Sequence, residues 1–396
     1  MPLEVKLLGT AHTSKHRREQ VVVANRTIAN RRNKFLSRSL GWFFLAAVTL
    51  AVSSPLQAVT YEVGGCKTGK SYVNFTTISL AVIGVPAGSK IEVCPGVYPE
   101  QVTITQPLTL QGITLNNSGR AIIVINPNGV LTSNVTSITG ESLYAQVLVQ
   151  NVNPPGAVNI TGITIDGAGG NAGCSMTQGV VGVFYASGTT GTVNESTVRN
   201  QQSSGCGYGV WLENGADPAQ TITVENSSFH NIDAAGINAV SDQTPPTLSA
   251  TIQGNFLYNA SFGIATQGIN GAVTGNFTTG GSEGISVALT PGAITISGNV
   301  AADTGDGIVL GGGATAESNK ISNTLLGFGP SGGVPGPLIQ NNVVMNAGTG
   351  FAPVCAAGTI TKNVFNDLQT GFEEALQSPT GNTLYNVDTI QTNPCP

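Results

Sequence analysis

Glu283, Asp303 and Asp306 are the first candidates for chemistry in this sequence, because they occupy matching places in neighbouring stretches of similar sequence. Aligned on a shared step of glycine followed by an apolar residue, Glu283 and Asp306 fall at one position, a repeat apart. Two carboxylates on adjacent strands, about 5 Å apart, suit the acid and nucleophile of a retaining glycosidase. With Asp303 they equally suit Ca²⁺, a hard cation that takes several oxygens. The plainer alternative makes Asp303 a substitute for a turn asparagine and leaves the other two solvated. Arg199 and His230 share a second aligned position, each just before an asparagine (Asn200, Asn231), and are a general-base candidate. The competing reading of His230 is an ordinary solvated histidine. Phe184 and Trp211 also align, each one residue past an inward valine (Val183, Val210), so strict alternation points both rings outward. Paired outward rings form a platform for sugar faces, unless an insertion covers them as a satellite cluster.

These alignments mean something only if the chain stacks the positions, and an internal repeat says that it does. From residue 250 onward, Asn255, Asn276, Asn299, Asn319, Asn342 and Asn363 are each followed eight residues later by a glycine and an apolar residue. The glycines are Gly263, Gly284, Gly307, Gly327, Gly350 and Gly371, and the spacing between copies stays within 20 to 23 residues. Short alternating apolar runs at that period describe one coil of a parallel β-helix, with about three strands stacked at about 4.8 Å. The asparagines are expected at turns, bonding amide to amide up the stack with left-handed backbone, and the glycines are expected to shape the turns. A β-helix exposes its core at its ends. Phe75–Ile83 reads as an amphipathic helix with Thr76 as N-cap, placed to plug the N-terminal end. Insertions around 140–157, 168–178, 201–206, 213–220 and 241–249 break the repeat in the first half, where binding loops are expected.

Composition agrees. Only 9% of residues are charged and 52 are glycine, which argues against a helix-rich enzyme or a disordered tail. Nine of the 16 Lys and Arg lie in residues 1–40, before the apolar run Trp42–Val52 and a small-residue exit ending at Ala58. This pattern predicts a signal peptide over 1–58, or else an uncleaved anchor. The remaining domain, 59–396 (cap 59–90, coils 91–390), keeps seven basic against 19 acidic residues, about −12. Such a chain repels nucleic acid and anionic membranes, and repels polyanionic sugars unless a cation bridges. All six cysteines follow residue 58, which predicts three disulfides in an exported protein: Cys66–Cys94, Cys174–Cys206 and Cys355–Cys395.

The stretch Lys90-Ile91-Glu92-Val93-Cys94-Pro95-Gly96-Val97-Tyr98-Pro99-Glu100, followed by Pro107-Leu108-Thr109-Leu110-Gln111-Gly112, resembles the opening coils of pectin-lyase-like proteins. Pectin methylesterases and NosD-like periplasmic proteins share that opening. The resemblance implies a right-handed helix and a family of polysaccharide lyases, hydrolases, esterases and epimerases. It does not carry an activity across. The QDTL and DFIFG motifs of the methylesterases are absent, and of the polygalacturonase motifs only Gly305-Asp306-Gly307 offers an echo. Lyases of this fold use Arg or Lys as base, and Arg120 and Arg199 are the only arginines after residue 58. The expectation is therefore an all-β, right-handed parallel β-helix that is secreted, periplasmic or on the cell surface. It would bind or process polysaccharide along its lateral face, or serve as a non-catalytic adhesion protein, without a cofactor unless Ca²⁺ is held.

Overall fold

The computed structural model describes residues 60–67, 72–115, 119–124, 131–168, 178–288, 292–330, 336–352, 358–373 and 381–392. They lie in one compact unit, Gln57–Pro396. The segment read as a signal peptide is outside the described residues, and no described helix is long and apolar enough to cross a membrane. A representative coil runs Asn270–Thr274, Phe277–Thr279, Glu283–Ala288. First strands stack into a sheet of 13, and second and third strands merge into a sheet of 19. The merging arises where one strand continues through the corner, as in Phe256–Gln267. Pairing is parallel throughout these stacks; the exception is a hairpin, Val135–Thr136 against Ser142–Val149.

Parallel stacking in constant register puts like on like. One inward row runs Val183, Val210, Ile237, Ile264, Ile285, Ile308, Phe328, Phe351, Phe372, each the direct partner of the next and each buried. Every such side chain contributes about 1.5–3 kcal/mol by leaving water. The aligned glycines stand one residue before this row, and their role differs from the expected one. Their φ is not positive. A Cβ on Gly284 would come within 2.6 Å of the Gly307 carbonyl oxygen and 2.9 Å of Ala301 Cβ. These glycines let coils approach, rather than shaping turns.

Two asparagine ladders hold the coils. In the buried one, each backbone N–H and Nδ2 donates to Oδ1 of the next asparagine: Asn299 donates both to Asn319 at 3.0 and 2.9 Å and receives both from Asn276. Nδ2 also donates to a carbonyl of the preceding coil, Val273 for Asn299. The ladder extends beyond the repeat, to Asn382 at one end and through Ser227 and Ser196 at the other. The left-handed residue is not the ladder asparagine but the one before it, as at Gly298 (φ 64) and Asn341 (φ 56). The second ladder, at the exposed corner, does have left-handed backbone: Asn200, Asn231, Asn259, Asp303, Asn323 and Asn346 all have φ between 54 and 59.

The cap helix is Ile78–Gly84, and its N-cap is Thr77, one residue later than expected, because Phe75 ends the strand Tyr72–Phe75. Ile78, Ala81 and Val82 bury against the first coils. The first coil also clamps both helix ends. The Glu100 carboxylate accepts the N–H groups of Ile78 and Ser79, both at 2.8 Å, and Gln106 Nε2 donates to the Val82 and Val85 carbonyls, both at 2.8 Å. Those bonds satisfy end groups that a short helix leaves open. Cys66–Cys94 is bonded as expected, with Cα atoms 5.8 Å apart. Cys206 is also in a disulfide, with its partner outside the described residues; Cys174, Cys355 and Cys395 lie outside them as well.

The buried ladder makes a stability prediction. Asn299→Leu takes the shared acceptor from the Asn276 N–H and Nδ2 and a donor from the Val273 carbonyl at once, each loss worth about 1–3 kcal/mol in the interior, while the N–H of residue 299 still reaches Asn319. Denaturant unfolding should show a loss above about 3 kcal/mol, and an unchanged midpoint would refute the ladder's structural role.

Candidate functional site

The expected aromatic platform is not exposed. Phe184 and Trp211 are direct partners on adjacent strands, as aligned, yet they are only 0% and 3% exposed. They belong to a satellite cluster with Leu143, Ala145, Leu148 and Val181, and Tyr208 meets the indole edge-on at 4.5 Å. The cover comes from the hairpin before Leu143: Val135 packs on the cluster, and the Ile138 N–H donates to Glu213 Oε2 at 3.0 Å. Glu213 is thereby buried beside Trp211, whose indole N–H faces the carboxyl without closing a hydrogen bond of normal geometry. Burial pushes the Glu213 carboxyl up to about 7; the Ile138 N–H opposes this, while Asp242 and Glu141 add to it.

Arg199 and His230 are partners, as aligned, but neither is placed as a free base. Arg199 Nε donates to Asp166 Oδ2 at 2.7 Å, and Asn200 Nδ2 and the Ala168 N–H hold Oδ1 at 2.8 and 3.0 Å. Burial pulls the Asp166 carboxyl upward, and the hydrogen bonds from Asn200, Ala168 and Arg199 outweigh it, leaving the group below the ordinary carboxylate range. The guanidinium is thus fixed in an ion pair. Desolvation first, then Arg199, lowers the His230 imidazole, so it is neutral at neutral pH, with Nδ1 buried and unpartnered. The ring stacks on Tyr258, with centroids 5.6 Å apart and planes at 20°.

That stack opens onto a surface that the alignment passed over. Phe256 and Tyr258 are 46% and 42% exposed, and Phe256 lies parallel to Phe277 at 5.1 Å and 8°. Together with His230, these rings form a strip across three coils, about 10 Å along the axis. The signal was legible as Gly254-Asn255-Phe256 and Gly275-Asn276-Phe277: the residue after a buried ladder asparagine points out. Around the corner ladder from the strip runs a shallow groove of about 360 Å³, lined by Gln202, Asp233, Asn259, Ser261 and Ser282 among others. Asp233 is committed to structure there, accepting the N–H groups of Ser203, Gly205 and Gly207.

Glu283 and Asp306 are direct strand partners, as aligned. Burial raises both carboxyls; for Glu283 the Ser286 hydroxyl opposes this and the Asp306 charge adds to it. One Glu283 oxygen is buried without a partner. Asp303 instead occupies the corner ladder and accepts from Asn323 Nδ2 at 2.9 Å. The three acids do not gather as a Ca²⁺ site: among the described residues the only set of ligand atoms within 4.8 Å of one another is Glu62, Cys66 and Cys94, and the disulfide occupies both sulfurs.

The buried cluster generates two predictions. Trp211→Ala should cost about 3–5 kcal/mol in chemical denaturation, the range for a core aromatic, and a surface-like cost would contradict its burial. A folded-state carboxyl raised above its unfolded value holds its proton more tightly in the fold. The stability from Glu213 is therefore complete at low pH and declines as pH climbs from the ordinary carboxylate range to about 7. Calorimetry should find that Glu213→Gln removes roughly 1–3 kcal/mol of that decline; in the residual slope Glu141, Glu283 and Asp306 act in the same direction, and Glu92 and Asp166, whose carboxyls are lowered, act against them. A variant with the same pH slope as the parent would show that Glu213 is not the group.

Residues 181–344 match the family model described as right handed beta helix region. No curated protein matches the sequence. Among solved structures, a double mutant of the tailspike protein of E. coli bacteriophage HK620 is similar at 12% identity and a TM-score of 0.54, over 79% of this chain and 61% of that one. The same tailspike in complex with pentasaccharide is similar at 10% and 0.50, over 79% and 61%. The native GH136 lacto-N-biosidase from Eubacterium ramulus is similar at 11% and 0.56, over 82% and 67%. The chain thus spans about three fifths of the tailspike's length. At such identities the likeness is one of fold. Parallel coils, rows of like residues and the match over the middle of the chain agree with what the opening coils implied: the fold is a right-handed parallel β-helix.

Proposed function

We propose that this protein binds polysaccharide along its lateral face, with the strip His230–Tyr258–Phe256–Phe277 as the surface for sugar rings. The exposed, stacked rings carry this reading. Large apolar groups held rigidly in solvent gain most from a partner with an apolar face, and a pyranose has one. The adjoining groove offers the Asn259 amide and the Ser261 and Ser282 hydroxyls to sugar hydroxyls. Cysteines committed to disulfides favour a compartment outside the cytoplasm. The tailspike in complex with pentasaccharide supports a saccharide ligand as an analogy of fold only.

Binding without turnover is the form of this function that the side chains favour. The ion pair of Arg199 with Asp166 disfavours it as a base, and His230 is stacked on Tyr258. Glu283 and Asp306 are the acids left to a hydrolytic alternative.

Phe256→Ala and Tyr258→Ala should each weaken oligosaccharide binding about tenfold or more in titration calorimetry, about 1.4 kcal/mol. Melting temperature should hardly move, since both rings are exposed. Undiminished binding by both variants would reject the strip. Product analysis with Glu283→Gln and Asp306→Asn separates the alternative: turnover that these changes abolish would make the protein a hydrolase.

A further inference from the structure

The charges around the strip say which saccharides it accepts, an inference that rests on the binding reading above. Of the six described lysines and arginines, three are engaged elsewhere. Lys67 and Lys90 both pair with Glu92 at the cap, and Arg120 donates to the Glu195 carbonyl. Arg199, the one cation in the row of His230 and Tyr258, is neutralised by Asp166 at 2.7 Å. His230 is uncharged at neutral pH. Lys320 shares the row of Phe277 but stands two coils further on, about 10 Å away. Lys362 is further still along the axis.

Carboxylates border the groove beside the strip. Asp233 lines the groove. Glu283 follows groove residue Ser282 directly and pairs with Phe262 in the coil of Tyr258, with Asp306 next in its row and Asp303 on the corner ladder.

We propose that this face is selective for uncharged glycans and rejects uronates, because aromatic stacking attracts either while the charges lining and adjoining the groove are carboxylates, with Lys320 two coils from Phe277. The selectivity is by exclusion: like-charge repulsion costs the uronate what the rings give both ligands.

The experiment titrates the full chain with matched pairs of oligosaccharides, oligogalacturonates and oligoglucuronates against their carboxyl-reduced neutral counterparts, by calorimetry at low and moderate salt, with and without added Ca²⁺. Neutral members should bind at least tenfold more tightly than their uronate partners at low salt. The gap should narrow as salt rises and should not depend on Ca²⁺. Glu283→Gln combined with Asp306→Asn should raise uronate affinity several-fold and leave neutral affinity unchanged. Should that variant fail to fold, the salt dependence of the parent protein decides alone. Uronate binding equal to or tighter than neutral binding overturns the selectivity while leaving the strip as a sugar surface, as does uronate binding that appears only with Ca²⁺. Binding of neither class overturns the strip as a sugar surface, and the selectivity with it.

Discussion

The buried asparagine ladder is the constraint on which the rest depends. An unpaired amide in the interior is costly, so each coil must meet the next where Oδ1 faces both the N–H and Nδ2 of its neighbour. Asn276, Asn299 and Asn319 satisfy this at 2.9–3.0 Å, and the same bonds recur to Asn382. A slip by one residue would break the whole ladder and turn every inward side chain outward. The ladder therefore fixes register, and register fixes the inward rows of valine, isoleucine and phenylalanine. Where Ser196 and Ser227 replace asparagine, the hydroxyl takes the acceptor's part for one bond, and the first half tolerates longer insertions.

The same register governs the outer face. Direct partners on adjacent strands come as close as the strand spacing permits, so outward side chains meet their equivalents whatever their chemistry. Phe256 meets Phe277, His230 meets Tyr258, and Glu283 meets Asp306. The first two contacts gain from proximity. The third does not, and both of its carboxyls are biased toward their protonated forms. Stacking thus concentrates aromatic surface at one place and carboxyl groups beside it, which is the basis for expecting a neutral ligand. The cap follows a related logic: Glu100 and Gln106 reach from the first coil to both ends of a helix too short to stand alone, and Cys66–Cys94 ties the segment before it to the same coil.

Much of this was readable from residues alone. Period, inward rows and the partnerships Phe184–Trp211, Arg199–His230 and Glu283–Asp306 follow from aligning the repeats on their glycine step and from strand alternation, the cap from an amphipathic pattern, and the Cys66–Cys94 bridge from cysteines that flank the cap; all are local properties of sequence. The aligned glycines give clearance between coils where the repeat alone points to turns, because a repeat reveals that a side chain is forbidden without revealing what it would strike. Alternation also correctly turned Phe184 and Trp211 outward, and it could not say what lay above them. That depended on residues 131–141, outside any repeat, folding back so that Ile138 reaches Glu213, 75 positions away. Likewise Asp166 became the partner of Arg199 only through coil-to-coil contact across 33 residues. Sequence thus determined the direction of each side chain, since alternation is set by the backbone. Tertiary structure decided which outward side chains meet water, since cover comes from segments with no periodicity to read.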